Sequence, residues 1–368
     1  MCITKEAVKR AFEASKINGK RHILITGSRG RGKTALFDSL TSNIICGVKS
    51  RKENNTSVTM SDFAEEVKFQ IGIRLEGEKK MTPCIENIET KGVQLLENCI
   101  CSKEEQVAVD EIGYLECGNS TYCNTLEKLF NIKHVIACVR KDDYNFLKKI
   151  LSRNDAFVVD LDKPVGGLGC IVLASGISMR FGSNKLMATL AEKPIVAHTI
   201  EKLTSLSDIF ENSVVITRYD EIATLCEIYK ANFVLHDLPY KNDTIRAGVE
   251  ALGKHYGYIF LQADQPLLTE ETLVALALSW QNDKDSIWRV SFDGEVYTPV
   301  IFPGKFFEKL RNLPKDSGGN VIIKSNKALV KKLEAKNKFE VMDVDTPDGI
   351  TKLEEIITSG SSRESVGC

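Results

Sequence analysis

HILITGSRGRGKTALFDSL (residues 22–40) sets the architecture of the first half of the chain. HILIT is a short β-branched apolar run, which predicts a buried strand. GSRGRGKT then places Gly27, Gly30 and Gly32 ahead of Lys33 and Thr34, and ALFDSL resumes with helical spacing. G-x4-G-K-T between a strand and a helix is the phosphate-cradling P-loop. The glycines let successive backbone N–H groups turn toward phosphate, and the helix adds its positive N-terminal end. Lys33 reaches the β/γ oxygens and Thr34 offers a hydroxyl to Mg²⁺.

A second element supports this site. Val107-Ala-Val-Asp110-Glu111 is an apolar strand ending in two carboxylates. Asp110 is placed to hold the Mg²⁺ shell and Glu111 to orient an attacking water. With the P-loop, the run VAVDEIGYLE (107–116) resembles the small nucleoside-triphosphatases whose corresponding strand reads I-D-E-I-G-x-M-E. The resemblance covers roughly residues 20–160 and includes Cys46-Gly47-Val48 and HVIACVRK. It implies slow hydrolysis of ATP or GTP. The chain departs from that family at Ser28, Arg29 and Arg31 inside the loop and at Ala35 after it.

Both halves alternate short apolar runs with helical segments, as α/β domains with mostly parallel sheets do. Further expected strands are VAVD (107–110), HVIACV (134–139) and AFVVD (156–160) in the first half. The second half offers CIVLA (170–174), SVVIT (213–217), YIFLQ (258–262), TPVIF (298–302) and FEVMDV (339–344). DKPVGGLG (162–169) reads as the linker region. The expected domains are an N-terminal helix (1–19), a P-loop domain (20–162), a linker (163–168), a Rossmann-like second domain (169–358) and a disordered tail (359–368).

The 368 residues favour two domains. Lys plus Arg (49) nearly balances Asp plus Glu (50), so no global field attracts nucleic acid or an anionic membrane. The first twenty residues lack a signal-peptide core, and no apolar stretch approaches a membrane span, which points to the cytoplasm. Of the 11 cysteines, eight fall in the first half without a CxxC pair. That favours reduced structural thiols over a metal site at Cys99, Cys101, Cys117 and Cys123. His22 and His134, in apolar strands, read as core or surface residues rather than ligands.

CIVLASGISMRFGSNKL (170–186) opens the second half with a strand and a Gly–Arg–Gly–Lys loop. The spacing L-A-x-G-x-S-x-R-F-G-x-N-K-L resembles the MobA-like NTP transferases, within them the molybdenum-cofactor cytidylyltransferase and molybdenum-hydroxylase accessory branch. Four further segments match in order: Asn242-Asp-Thr-Ile-Arg246-Ala-Gly248, Leu261-Gln-Ala-Asp264-Gln265-Pro266, Lys315-Asp316-Ser-Gly318-Gly319 and Asp343-Val-Asp345-Thr346-Pro347. The match spans roughly residues 168–358.

The resemblance implies that Asp264 holds Mg²⁺ with Asp345, or Asp343, as the second carboxylate. Arg180 and Lys185 would stabilise the α-phosphoryl transition state and the leaving pyrophosphate. Ala174, Ser175, Gly176 and Ser178 would present the loop to base and ribose, with Arg246 and Asp243 facing the base or sugar. Such transfer relies on alignment and charge neutralisation. The LAxGxS form favours CTP over GTP, with molybdopterin as acceptor. Two alternatives stand beside this. One is a maturation factor delivering cofactor to a molybdenum hydroxylase under NTP hydrolysis; the other is a cytidylyl- or uridylyltransferase for a sugar or alcohol phosphate. Departures at Ser175, Ala263 and Thr298 fall on the loop, the metal turn and the acceptor side.

Overall fold

The computed structural model describes residues 3–163, 165–176 and 184–364, with the side chains of 347 and 358–364 set aside. The chain forms two compact units, Ser15–Pro164 and Met1–Ala14 with Val165–Cys368. The amino-terminal segment therefore clusters with the second unit. Within the helix Lys5–Lys16, Arg10 donates to Glu271 Oε1 (3.2 Å), Thr272 Oγ1 (3.0 Å) and the Glu334 carbonyl (2.7 Å).

The Ser15–Pro164 unit is built on eight strands: β1 (His22–Thr26), β2 (Gly47–Lys52), β3 (Ser57–Asp62), β4 (Lys68–Ile73), β5 (Thr82–Pro83), β6 (Gln106–Ile112), β7 (His134–Val139) and β8 (Ala156–Asp160). Their order is β5-β4-β3-β2-β6-β7-β1-β8. The five strands from β2 to β8 in that order run parallel, and β3–β5 add an antiparallel extension to β2. Leu24, Val107, Val109, Val135 and Ala137 are fully buried in the sheet centre, where both faces are covered.

In the second unit the main strands are β9 (Leu168–Ala174), β12 (Asn212–Thr217), β13 (Phe233–Leu235), β14 (Gly257–Gln262), β15 (Ile287–Phe292), β16 (Glu295–Pro303) and β17 (Val330–Glu334). A small hairpin pairs β10 (Thr189–Leu190) with β11 (Lys193–Pro194). The order β13-β12-β9-β14-β16-β15-β17 is parallel from β13 to β14; β16 runs antiparallel to β14 and β15, and β17 is parallel to β15.

FEVMDV is not a strand. Lys338–Val341 forms a 3₁₀ turn, capped by Asn337 Oδ1 accepting from Phe339 and Glu340 N–H. Within that turn Glu340 is buried, accepting from the Lys336 N–H (3.1 Å) and Thr269 Oγ1 (2.9 Å). The helix Pro347–Glu364 continues past residue 359, where composition places the start of the tail. No helix among the described residues is long and apolar enough to cross a membrane. Cys99, Cys138 and Cys170 are buried thiols.

Candidate active sites

In a parallel sheet the carboxyl ends of neighbouring strands share one edge, and ligands bind there. In the first unit this edge collects the P-loop after β1, Asp110 and Glu111 near the end of β6, Arg140 and Lys141 after β7, and Asp160–Asp162 after β8. The P-loop, Asp110, Glu111, Arg140 and Lys141, together with the β2–β4 extension, line a cleft of about 940 Å³. Nine Lys or Arg side chains face four Asp or Glu side chains in that cleft, although the whole chain carries a net charge of only −1. A polyanion is the complementary ligand.

Gly27, Gly30 and Gly32 all adopt positive φ (143°, 82° and 87°). A Cβ on Gly27 would also lie 3.1 Å from Leu161 Cβ. Lys33 Nζ donates to the carbonyls of Gly27 (2.7 Å) and Ser28 (3.1 Å), so the ammonium is held inside its own loop. Thr34, in the first turn of the helix Lys33–Leu40, is exposed at the cleft. Asp162 braces the loop from the β8 side, accepting from Ser28 N–H and Ser28 Oγ, each at 2.8 Å. Those Ser28 hydrogen bonds and Lys141 hold the Asp162 carboxyl below its usual range. Arg31 turns the same way, donating to the Leu161 carbonyl (3.1 Å) and pairing with Asp162 at 3.5 Å. It therefore fastens the loop to its neighbour; Arg29 lines the cleft.

Asp110 is almost completely buried and pushed up to about 6, first by burial, against the pull of Arg51 3.8 Å away. Glu111 accepts from Arg140 Nε at 2.8 Å. Glu116 is buried and likewise pushed up to about 6 by burial; it accepts from the Gly113 N–H (3.1 Å) and Ser50 Oγ (3.2 Å). It thereby fixes the turn that follows Asp110-Glu111.

In the second unit the equivalent edge carries Ser175 and Gly176 after β9, Arg218 after β12, His236 after β13 and Asp264 after β14. Lys185 Nζ bridges Asp264 Oδ2 (2.6 Å) and Asp345 Oδ1 (2.9 Å). Partial burial pulls the ammonium down, but the two carboxylates outweigh it and hold Lys185 above its usual value. The Val344 N–H donates to the Asp264 carbonyl (3.0 Å), tying the DVDTP segment to the metal loop. Asp264 Oδ1 is buried without a hydrogen-bond partner among the described residues. Asp343 accepts from Gln265 Nε2 (2.9 Å); its carboxyl is pushed up to about 6 by its enclosed setting first and then by Asp264 and Asp345.

No group of three or more metal-ligating side chains occurs among the described residues. Mg²⁺ commonly takes one or two carboxylates plus substrate phosphates and water, so Asp264 with Asp345 is a suitable donor set and the orphaned Oδ1 a suitable ligand atom.

Ser175 Oγ donates to the Ile216 carbonyl (3.0 Å) and lies 2.8 Å from His236 Nε2. Because His236 Nδ1 accepts from the Leu238 N–H, its Nε2 carries the proton toward Ser175. The Ala174 and Gly176 carbonyls accept from Thr217 Oγ1 (3.1 Å) and Tyr219 OH (2.9 Å). Asp243 is buried at the start of the helix Lys241–Leu252, accepting from the Tyr240 N–H (3.3 Å) and Arg246 Nη2 (2.8 Å). The pair is engaged with itself and with the helix end. Asn242 Oδ1 accepts from the Asp316 N–H (2.8 Å), which brings the KDSGG segment to this edge. Ser178, Arg180 and Gly182 lie outside the described residues.

Two family models match. Residues 22–164 fit the NTPase family, and residues 170–332 fit the MobA-like NTP transferase domain. A nucleoside-triphosphatase from Thermotoga maritima is 31% identical over 160 residues, covering 38% of this chain and 86% of that protein. The chain joins an NTPase-family domain to a MobA-like NTP transferase domain. It is an enzyme. A probable molybdenum cofactor guanylyltransferase from Natranaerobius thermophilus is 30% identical over 124 residues, covering 32% of this chain and 57% of that protein. Among solved structures, a nucleotidyl transferase from Methanothermobacter is 16% identical, covers 53% of this chain and 99% of its own, and has a TM-score of 0.46.

Several residues at these edges carry no signal in the linear sequence. In the NTPase domain they are Arg51 and Asp162; in the transferase domain, His236. Arg140-Lys141 offers the one usable hint: a basic pair directly after a buried strand that neighbours the P-loop strand in space.

Proposed function

We propose that the transferase domain moves a nucleoside monophosphate from an NTP to the phosphate of molybdopterin, with release of pyrophosphate, and that the NTPase domain hydrolyses ATP or GTP with Mg²⁺. The observation that carries this reading is the convergence of Asp264, Asp345 and Lys185 at the carboxyl edge of β9 and β14. Asp264 and Asp345 would hold Mg²⁺, which supplies charge neutralisation at the α- and β-phosphates. Lys185 would then turn from the carboxylates to the phosphates. In the NTPase domain, Lys33 and Thr34 would take the β/γ phosphates and the ion, Asp110 the ion's water shell, and Glu111 the attacking water.

CTP is the donor favoured by the LAxGxS loop, with Ser175 set by His236. GTP is the second reading, supported by the likeness to the Natranaerobius guanylyltransferase. The test is Mg²⁺-dependent pyrophosphate release from each NTP, with and without molybdopterin. Pterin-dependent pyrophosphate lost in Asp264→Ala and retained in Lys33→Ala supports the transferase and names its base. Absence of pyrophosphate with every NTP, alongside phosphate release that Lys33→Ala abolishes, would overturn it in favour of an NTP-driven maturation factor serving a molybdenum hydroxylase. Turnover with sugar phosphates alone would instead favour the sugar-phosphate transferase.

A further inference from the structure

A pocket of about 110 Å³ lies in the transferase domain between strands β9, β14 and β16 and the helices Lys241–Leu252 and Asn320–Ser325. Its wall is mainly apolar, formed by side chains such as Ile245, Phe260 and Phe302. Its polar groups are few, and Arg289 is the one that demands an explanation. Arg289 is half-buried on β15, opposite Val300 of β16. Its Nε is buried with no hydrogen-bond partner, and no carboxylate pairs with it among the described residues. A guanidinium in an apolar wall without an anion is costly.

The pocket adjoins the metal loop. Gln262, on its wall, precedes Asp264 by two residues, and Thr298, also on its wall, donates to Gln265 Oε1 at 3.1 Å. Lys241 lies at the same pocket, and a Cβ on Gly319 would come 2.7 Å from the Phe302 ring. Glycine there keeps the backbone of residues 318–319 low against the pocket wall.

We propose that this pocket is the acceptor subsite and that Arg289, with Lys241, binds a phosphate carried on a compact ring whose body lies against the partly exposed side chains of Leu173 and Ile323. A guanidinium offers phosphate a planar fork of donors, and a water-poor wall strengthens each contact. The subsite rests on the transferase reading for its role, whereas the binding itself requires no turnover.

Phenyl phosphate is the probe, titrated calorimetrically into the full chain and into Arg289→Gln and Arg289→Lys. The expected result is affinity at least about tenfold weaker in Arg289→Gln, partly restored in Arg289→Lys, with phenol bound alike by all three. Equal affinity in wild type and Arg289→Gln, or no binding to either, overturns the subsite. Arg289→Met separates binding from folding: its Tm in phosphate-free buffer should equal or exceed that of the wild type, because a half-buried guanidinium whose buried Nε has no hydrogen-bond partner is removed. A clear fall in Tm would assign Arg289 a structural role and overturn the proposal. If molybdopterin is no acceptor while phenyl phosphate binding depends on Arg289, the named substrate fails and the subsite stands. If molybdopterin is an acceptor with the same KM in Arg289→Gln, the subsite fails and the transferase reading stands.

Discussion

The Lys185 ammonium lies 2.6 Å from Asp264 Oδ2 and 2.9 Å from Asp345 Oδ1, so one cation joins carboxylates 81 residues apart in the chain. A divalent ion and this ammonium would compete for the same oxygens. Lys185→Ala should therefore bind Mn²⁺ more tightly than wild type in the absence of nucleotide, while transfer falls about 10²–10³-fold through loss of charge stabilisation. Mn²⁺ titration by electron paramagnetic resonance reads the first effect and pyrophosphate release the second. Equal or weaker Mn²⁺ binding in the variant would remove the ammonium from the ion site.

Asp110 makes a prediction that joins stability to function. Its folded value of about 6 lies above its ordinary 3.8, so the native state holds the proton more tightly than the unfolded chain. The stability this contributes is fully present below about pH 4 and is lost as pH rises through 6. Asp110→Asn escapes that loss and should be more stable at pH 7, by on the order of 2 kcal/mol, with the gain vanishing near pH 4. NTP hydrolysis should be abolished in the same variant. Urea unfolding at the two pH values measures the first part, and a variant less stable at pH 7 would contradict it.

Glu111 is held by Arg140 rather than by solvent. If it orients the attacking water, Glu111→Gln should slow phosphate release about 10²-fold or more while leaving NTP affinity near wild type. Single-turnover hydrolysis with a parallel binding titration separates the two. Unchanged turnover would pass the role to another group.

Gly27 tests the loop's backbone. Its φ of 143° strains any side chain, and a methyl group there would sit tightly, 3.1 Å from Leu161 Cβ. Gly27→Ala should lower stability by about 1 kcal/mol or more and weaken nucleotide binding, because the strained position sets the direction of the cradle. Gly77→Ala serves as the contrast for steric room, since a Cβ there meets nothing within 4 Å although φ is also positive (85°).

Periodicity and motif spacing were enough to place the apolar strands. HILIT, HVIACV and AFVVD coincide with β1, β7 and the edge strand β8, because strands covered on both faces are written as unbroken apolar runs. Two strands escape that rule. The edge strand β17 reads VKKLE, and β2, between β3 and β6, reads GVKSRK with its second half reaching toward water, since a strand with one edge or part of a face in water has no need of an apolar run. FEVMDV fails in the opposite sense: its pattern suits a strand, but Asn337 caps a 3₁₀ turn and Glu340 is buried by partners from a distant helix start.

The candidate sites divide in the same way. Gly27, Lys33, Thr34 and Asp264 are legible in the chain because the chemistry of phosphate and metal binding imposes local spacing on a loop between strand and helix. Asp162 against Ser28, Arg140 against Glu111, Lys185 against Asp345, and the unpaired Arg289 beside Gln262 follow no local spacing. They meet because the order and direction of the strands bring distant segments to a shared edge or face, whatever their separation in sequence. That alignment is a property of strand order, and strand order is set by burial of the whole sheet rather than by any single stretch of residues.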